Sequence, residues 1–312
     1  MIKDLIPKLI EATESAAMAA YNFLGLGQEK EADRAAVDAM RSTLNSIDMN
    51  GTVVIGEGER DSAPMLYIGE EVGTKRGPEV DIALDPLEGT SICANYGRGA
   101  MSVLAVTKRG NFLNAPDVYM EKIAVGKNLP NGIVSLKNSI ENNLYQLSEA
   151  KRCKISELVI IILNRPRHES LIMKIRKCGA RVKLIDDGDI SAVISLLNNS
   201  YDMYVGIGGA PEGVLAASVL SSIGGQMEGK LIFNTDELKK RAEEIGIKDK
   251  EKIYRVEDMV KSESIFISTG ITDGDILSGI KDKNNKRTIN SLIISKGVIK
   301  RVKKITYNYF NS

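Results

Sequence analysis

One histidine stands in 312 residues, and that scarcity removes much of the chemistry an enzyme can run. A Ser-His-Asp relay would need His168 itself, and no nucleophile-elbow pattern supports it. A zinc site built from several histidines is excluded outright. Cysteine is almost as sparse. Cys93, Cys153 and Cys178 are odd in number and lack paired metal-binding spacing, so a reducing compartment, the cytoplasm, is expected. No apolar run is long enough to span a bilayer. An excess of one charge is missing too: 42 Lys and Arg oppose 41 Asp and Glu for a net charge of +1, which calls for neither nucleic acid nor an anionic membrane as partner. Lys281 to Arg287 and Lys300 to Lys304 are locally basic but read as a loop and a strand with solvated ends. There is no internal repeat and no low-complexity tract.

What the chain does have is carboxylates placed at strand ends. Asp81-Ile82-Ala83-Leu84 is a short apolar strand that runs into Asp85-Pro86-Leu87-Glu88-Gly89-Thr90. Two carboxylates three residues apart there offer the oxygen-rich surroundings that hard divalent cations select. Gly89 permits close approach of backbone N–H groups to an anion, and a helix starting there adds its positive dipole end. Metal and anion cradle in one segment point to phosphate chemistry. The plainer alternative is that Asp85 caps a turn and Glu88 lies in solvent.

Further carboxylates come from elsewhere. The β-branched run Thr52 to Ile55 ends in Gly56-Glu57-Gly58-Glu59-Arg60-Asp61, where Glu57 has room on both sides and is the functional candidate. Glu59 reads as surface. Asp61 reads as a helix N-cap ahead of Ser62-Ala63-Pro64 and Met65 to Ile68. Asp33 lies on a helix by composition, a place usually given to solvated charge. Glu212 follows Gly206-Ile207-Gly208-Gly209-Ala210-Pro211, where it suits a helix first turn and can serve the dipole alone. That glycine run lacks the third glycine of a dinucleotide fingerprint.

The organisation is α/β. Residues 2–22 and 30–47 are predicted helices, 52–55 and 80–84 strands, and Ala100 to Lys108 with Tyr119 to Val125 strand pairs of an antiparallel sheet. The start, with Ile2, Leu5, Ile6, Leu9 and Ile10 at helical spacing, reads as an amphipathic helix and not a signal peptide. Lys127 to Leu144 reads as connection and surface. From about residue 157 the pattern becomes βαβ: strands Leu158 to Leu163, Arg181 to Ile185 and Tyr201 to Val205, helices Glu169 to Cys178, Ile190 to Leu197 and Val214 to Ser222. A charged, capped helix is expected from Asn234 to Ile245. Two lobes are expected, an α+β lobe over 1–150 and a βαβ lobe over 151–312. Arg165 and Arg167, Asp187 and Asp189, and Gly206 to Glu212 each follow a strand of the second lobe, where parallel sheets gather ligand groups.

Taken in order, Gly56-Glu57-Gly58-Glu59, Asp85-Pro86-Leu87-Glu88-Gly89-Thr90, Asn114-Ala115-Pro116-Asp117-Val118-Tyr119-Met120-Glu121-Lys122, Arg165-Pro166-Arg167-His168, Asp187-Gly188-Asp189, Gly206 to Gly213 and Ser268-Thr269-Gly270-Ile271-Thr272 closely resemble the class II fructose-1,6-bisphosphatases of bacteria. The Asp85 to Thr90 core also ties the chain to the lithium-sensitive, metal-dependent sugar and inositol phosphatases. The resemblance implies a layered α-β-α-β-α architecture with the active site between lobes. It implies Mn2+ or Mg2+ held by Asp33, Glu57, Asp85, Glu88 and Glu212, and substrate contacts at Glu88, Gly89, Thr90, Tyr119, Arg165, Pro166, Arg167, Asp187, Gly188, Asp189 and Gly209. It implies a homodimer or homotetramer. Two positions depart from the family pattern: Glu29 stands where a Lys is frequent, with Lys30 one place on, and Arg165 replaces a common Lys. An Arg binds phosphate there more bidentately than a Lys.

The expected reaction is hydrolysis of the 1-phosphate of fructose 1,6-bisphosphate. Thr90 orients water, Asp33 or Glu57 accepts a proton, Arg165, Arg167 and Tyr119 grip the distal phosphate, and Asp187 and Asp189 the sugar hydroxyls. A sedoheptulose-1,7-bisphosphatase, alone or dual, remains open, as do an inositol or sugar monophosphatase and a non-catalytic metabolite-binding regulator. The paired arginines favour a bisphosphate. Cys93 is expected to be either a redox-sensitive neighbour of the site or a small packing residue.

Overall fold

The computed structural model describes residues 2–58, 65–198, 200–244 and 246–307. The chain divides into two compact units, residues 1–112 with 262–312, and residues 113–261. The division expected near residue 150 therefore falls inside the second unit, and the C-terminal residues rejoin the first. The reason is strand pairing: residues 119–125 pair with strands further along the chain, and residues 264–270 pair back to residues 101–107.

The first unit opens with helices α1 (Ile6–Tyr21) and α2 (Glu29–Asn45). In α1 the buried Ala12, Ala16, Ala17 and Ala20 are small enough to let α2 lie close, and α2 answers with Ala32, Ala36, Met40 and Leu44 at helical spacing. Strands β1 (Asn50–Ile55), β2 (Glu71–Val72) and β3 (Glu79–Glu88) follow, then the short helix α3 (Thr90–Ala94) and β4 (Met101–Lys108). The capped turn expected at Asp61 to Pro64, like Glu59, lies outside the described residues. Met65 to Ile68 are not helical: Leu66 sits at φ 52° and its carbonyl accepts the Glu57 N–H at 3.1 Å. Cys93 is buried and its thiol donates to the Ala20 carbonyl at 3.6 Å. Burial pushes that thiol up to about 11, which suits the packing role and not a redox one.

The second unit begins with β5 (Tyr119–Val125). β5 does not pair with β4. It lies antiparallel between later strands, so the two segments expected as strand pairs of an antiparallel sheet are each in one, but in different sheets. Helix α4 (Ile140–Lys151) occupies part of the stretch read as connection, capped by Ser139, whose side chain accepts the Asn142 N–H. Its signal was present in Ile140, Leu144 and Leu147, now buried on one face. The βαβ series then runs β6 (Val159–Leu163), α5 (Glu169–Lys177), β7 (Arg181–Ile185), α6 (Asp189–Ser195), β8 (Met203–Gly209) and α7 (Ala210–Ile223), as the pattern predicted. β9 (Gln226–Ile232), α8 (Asp236–Glu244), β10 (Ile253–Arg255) and α9 (Val256–Met259) complete it. The sheet order is β10-β9-β5-β8-β6-β7, parallel among β8, β6 and β7 and antiparallel elsewhere. Ile160, Ile162, Met203 and Val205 share one apolar face with Leu144, Leu147, Ile172 and Ile175 of α4 and α5.

The chain then returns to the first unit through β11 (Ser264–Gly270), β12 (Lys281–Lys283), β13 (Lys286–Ser295) and β14 (Val298–Tyr307). β11 pairs with β4, which gives the order β12-β13-β11-β4-β3-β1-β2 with β14 on β13. Ile82, Leu84, Leu104, Val106, Ile265 and Ile267 join the α1 and α2 side chains in one core. The protein is thus a mixed α/β structure of two mixed sheets with helices. Among the described residues no helix is long and apolar enough to cross a membrane.

Candidate active site

In the first unit, register brings the carboxylates together. β1 and β3 are parallel, with Ile55 beside Ala83, so the chain two residues beyond each is Glu57 and Asp85 at the carboxyl ends of adjacent strands. Asp85 and Glu88 are three apart and in a regular strand would face opposite sides. Here Asp85 pairs with Val103 and Glu88 with Met101, so Pro86 and Leu87 together oppose one residue of β4. That bulge turns both carboxylates to the face shared by Val103 and Met101. Proline, which cannot donate to the ladder, is tolerated at such a bulge. The Leu87 N–H bonds Asp85 Oδ1 at 3.0 Å, and Thr90 Oγ1 donates to the Leu87 carbonyl at 3.2 Å, fixing the approach to α3.

The Glu57 loop is anchored from outside. Arg41 Nε donates to Glu70 Oε1 at 2.6 Å, and the other oxygen of this buried carboxylate takes the Leu66 N–H. Since Leu66 in turn holds the Glu57 amide, α2 positions both Asp33 and the Glu57 loop. Burial raises the Glu57 carboxyl well above the usual carboxylate range, and the charges of Asp85 and Asp33 raise it further. Burial likewise raises Asp33. Carboxylates that repel one another in half-buried surroundings, with oxygen the only donor atom, fit a hard divalent cation. Among the described residues no three His, Cys, Asp or Glu side chains are drawn in as a closed cage.

In the second unit, four predicted segments meet at one sheet edge. β6, β7 and β8 deliver Arg165 to Arg167, Asp187 to Asp189, and Gly209 to Glu212, while antiparallel β5 begins at Tyr119 opposite Gly209. The glycines expected to follow the strand Tyr201 to Val205 are, through Gly209, the end of β8 itself. The Arg167 guanidinium stacks 5.0 Å from the Tyr119 ring centre and donates through Nε and Nη2 to the Ile207 carbonyl at 3.1 and 2.8 Å. The head is thus pre-oriented, with Nη1 turned to no acceptor among those bonds. Arg165 lies 3.9 Å from Asp187, whose carboxyl is raised by burial against the pull of the Gly188 N–H and Arg165.

His168 and Lys122 are the residues sequence reasoning missed. His168 is buried: Nε2 accepts the Ile207 N–H at 2.8 Å, so Nδ1 carries the proton and donates to the Leu163 carbonyl at 2.8 Å. It ties the end of β6 to β8 behind Arg167. Lys122 is buried too and paired with Asp189. A lysine among the alternating residues of a strand gives no sign of which way its charge faces, and its acceptors lie far along the chain. Glu212 sits in the first turn of α7. Its carboxyl is raised by burial, and Oε2 is buried with no hydrogen-bond partner among the described residues. A carboxylate oxygen left in that condition suits a cation as its missing partner.

Residues 3–306 match the family described as bacterial fructose-1,6-bisphosphatase, glpX-encoded. Similar curated proteins include the D-fructose 1,6-bisphosphatase class 2/sedoheptulose 1,7-bisphosphatase of Prochlorococcus marinus strain MIT 9515, 44% identical over 311 residues that cover 95% of this chain and 93% of the relative. The protein of that name from strain MIT 9301 is also 44% identical, and that from strain MIT 9313 is 43% identical, each over the same shares of both chains.

Proposed function

The chain belongs to the bacterial fructose-1,6-bisphosphatase family, and on that premise we propose how its residues divide the hydrolysis. The activity is that of a metal-dependent phosphoric monoester hydrolase acting on a sugar bisphosphate, fructose 1,6-bisphosphate, with fructose 6-phosphate and phosphate as products. The observation that supports the division of roles is the convergence of Glu57, Asp85 and Asp33, strong enough to raise Glu57 through its neighbours' charge.

In this reading Asp33, Glu57, Asp85, Glu88 and Glu212 would be the carboxylates that hold Mn2+ or Mg2+. Such ions neutralise phosphate charge and acidify water. Thr90 orients the attacking water through its hydroxyl, and the Gly89 and Thr90 amides face the phosphoryl oxygens. Asp33 or Glu57 accepts the proton, as a positioned carboxylate can. Arg165 with Pro166, Arg167 and Tyr119 grips the distal 6-phosphate, while Asp187, Gly188 and Gly209 meet the sugar and the buried Asp189 stands behind them, paired with Lys122. Grip on the distal group positions the reacting one and raises the rate. We further propose a cytoplasmic homodimer or homotetramer. The outward Val298, Ile299 and Ile305 of β14 support burial against a second copy.

Phosphate release with Mn2+ across fructose 1,6-bisphosphate, sedoheptulose 1,7-bisphosphate, fructose 6-phosphate and inositol phosphate tests the reading. The relatives' names carry both bisphosphatase activities, and turnover of both bisphosphates with neither monophosphate is the expected result. Preference for a monophosphate would overturn it. Arg167→Ala should raise KM for fructose 1,6-bisphosphate by about one to two powers of ten, since a charge-assisted contact contributes about 1.5–3 kcal/mol. Hydrolysis of an aryl monophosphate, whose activated leaving group permits slow turnover without the distal group, should change far less. Equal losses on both would place Arg167 at the scissile phosphate or in folding.

A further inference from the structure

We propose that Lys122 is a positioning residue for the hydrolysis, its buried ammonium fixing Asp189 and the Gly209 carbonyl beside Glu212. The inference rests on the site reading above, in which Gly209 and Glu212 belong to the binding machinery. Lys122 is 1% exposed and Asp189 5%. Two charges so far from water persist only where each is paired and hydrogen-bonded. The ammonium donates to Asp189 Oδ2 and, at 2.7 Å, to the Gly209 carbonyl. Three elements are joined by these bonds: β5 gives Lys122, the start of α6 gives Asp189, and the last residue of β8 gives Gly209.

Strand pairing does not require the charge. Lys122 is already held by its backbone opposite Gly206 and Gly229. An apolar side chain of similar length would fill its space, so what distinguishes lysine here is what its ammonium holds. The neighbouring glycines show how tightly the carboxylates are seated. A Cβ on Gly208 would stand 1.9 Å from Asp189 Oδ2, and one on Gly209 would stand 2.0 Å from Glu212 Oε2. Both positions lack side chains because carboxylates occupy that space. Lys122 stands at both: its ammonium pairs with Asp189 and holds the carbonyl of Gly209, the residue whose missing Cβ leaves room for Glu212. Asp189 is therefore turned inward and acts on the substrate through Lys122, leaving the half-buried Asp187 to meet the sugar directly. Without the ammonium, two carboxylates would repel across the glycine strand end and displace Gly209. A shift on the order of 1 Å at a binding group costs up to about a hundredfold.

The test compares Lys122→Met, Asp189→Leu and the double variant by thermal melting and by kcat and KM for fructose 1,6-bisphosphate with Mn2+. Each single variant leaves a buried charge unpaired and should lower Tm sharply. The double variant replaces the pair by apolar groups and should regain Tm, as such replacements do. Its KM should nevertheless stay at least about tenfold above wild type. Recovery of both Tm and KM would show the pair to be purely structural and overturn the proposal. Asp189→Asn keeps the shape and guards against a misfolded double variant; it too should raise KM more than it lowers kcat, and an unchanged KM overturns the idea. Glu212→Ala, measured alongside for Mn2+ binding by calorimetry, separates the two levels. Wild-type Mn2+ affinity there sinks the site reading itself, whereas an impaired Glu212→Ala beside a double variant of wild-type KM sinks only the role of Lys122.

Discussion

Exhaustive removal of divalent ions by a chelator should lower turnover by at least about three powers of ten, and Mn2+ or Mg2+ should restore it. The size follows from the several kcal/mol of charge stabilisation that such ions contribute in phosphoryl transfer, at about 1.4 kcal/mol per decade. The residues themselves argue the same way. Glu57 is held by Arg41, Glu70 and Leu66 in a loop beside Asp85, within reach of Asp33's charge, although burial and both of those charges disfavour its ionisation. A chain that only needed stability would not hold them there. The pH dependence follows with a definite sign. Glu57 is raised in the folded protein above its ordinary 4.5, so the ion-free fold binds more protons than the unfolded chain in the interval above that value. Its contribution to stability is complete below 4.5 and is lost as pH rises through the raised folded value. The chelated protein should therefore melt at falling temperature across that interval. Mn2+ should reverse the fall, releasing protons and binding more tightly as pH increases. Undiminished turnover after complete metal removal would sink the chemistry, and a melting temperature that rises with pH in chelator would sink the Glu57 assignment.

Much of this arrangement was legible in the sequence because it depends on short-range patterns. The β-branched and apolar runs at 52–55, 159–163 and 181–185 became strands, and the groups placed at their carboxyl ends stand there. What escaped depends on partners far apart in the chain. Nothing local in Ala100 to Lys108 or Tyr119 to Val125 says that the first pairs with Ser264–Gly270 and the second with Met203–Gly209, so the unit boundary was misplaced. The bulge at Pro86 was hidden for the same reason: parity of Asp85 and Glu88 can be judged only against Val103 and Met101. The resemblance implied only a substrate contact at Gly209, whereas the immediate cause of glycine at 208 and 209 is the side chains of Asp189 and Glu212. Arg167 was identified from Arg-Pro-Arg, but its stacking on Tyr119 and its bond to Ile207 required the sheet.

Replacing Thr90 by Ala should reduce kcat by about two to three powers of ten while KM and Mn2+ affinity stay near wild type. That is the loss seen when one pre-oriented hydrogen-bonding group is removed from a reacting centre. Thr90 opens α3 immediately after the bulge that aims Asp85 and Glu88, and its Oγ1 is tethered to the Leu87 carbonyl at 3.2 Å. The donation to Leu87 uses the hydroxyl proton, which leaves the oxygen lone pairs free to accept from a water molecule. A water accepted there has an oxygen lone pair to direct at phosphorus, and its orientation is set by the bulge. The methyl group of Thr90 contributes little to that, so Thr90→Ser should retain most turnover and Thr90→Val, which keeps shape but loses the hydroxyl, should behave like Thr90→Ala. The split between kcat and the two affinities is the decisive readout. Parallel loss of Mn2+ binding in Thr90→Ala would mean that Thr90 supports the carboxylates at 85 and 88, and near-wild-type kcat at saturating Mn2+ would remove it from the reaction altogether.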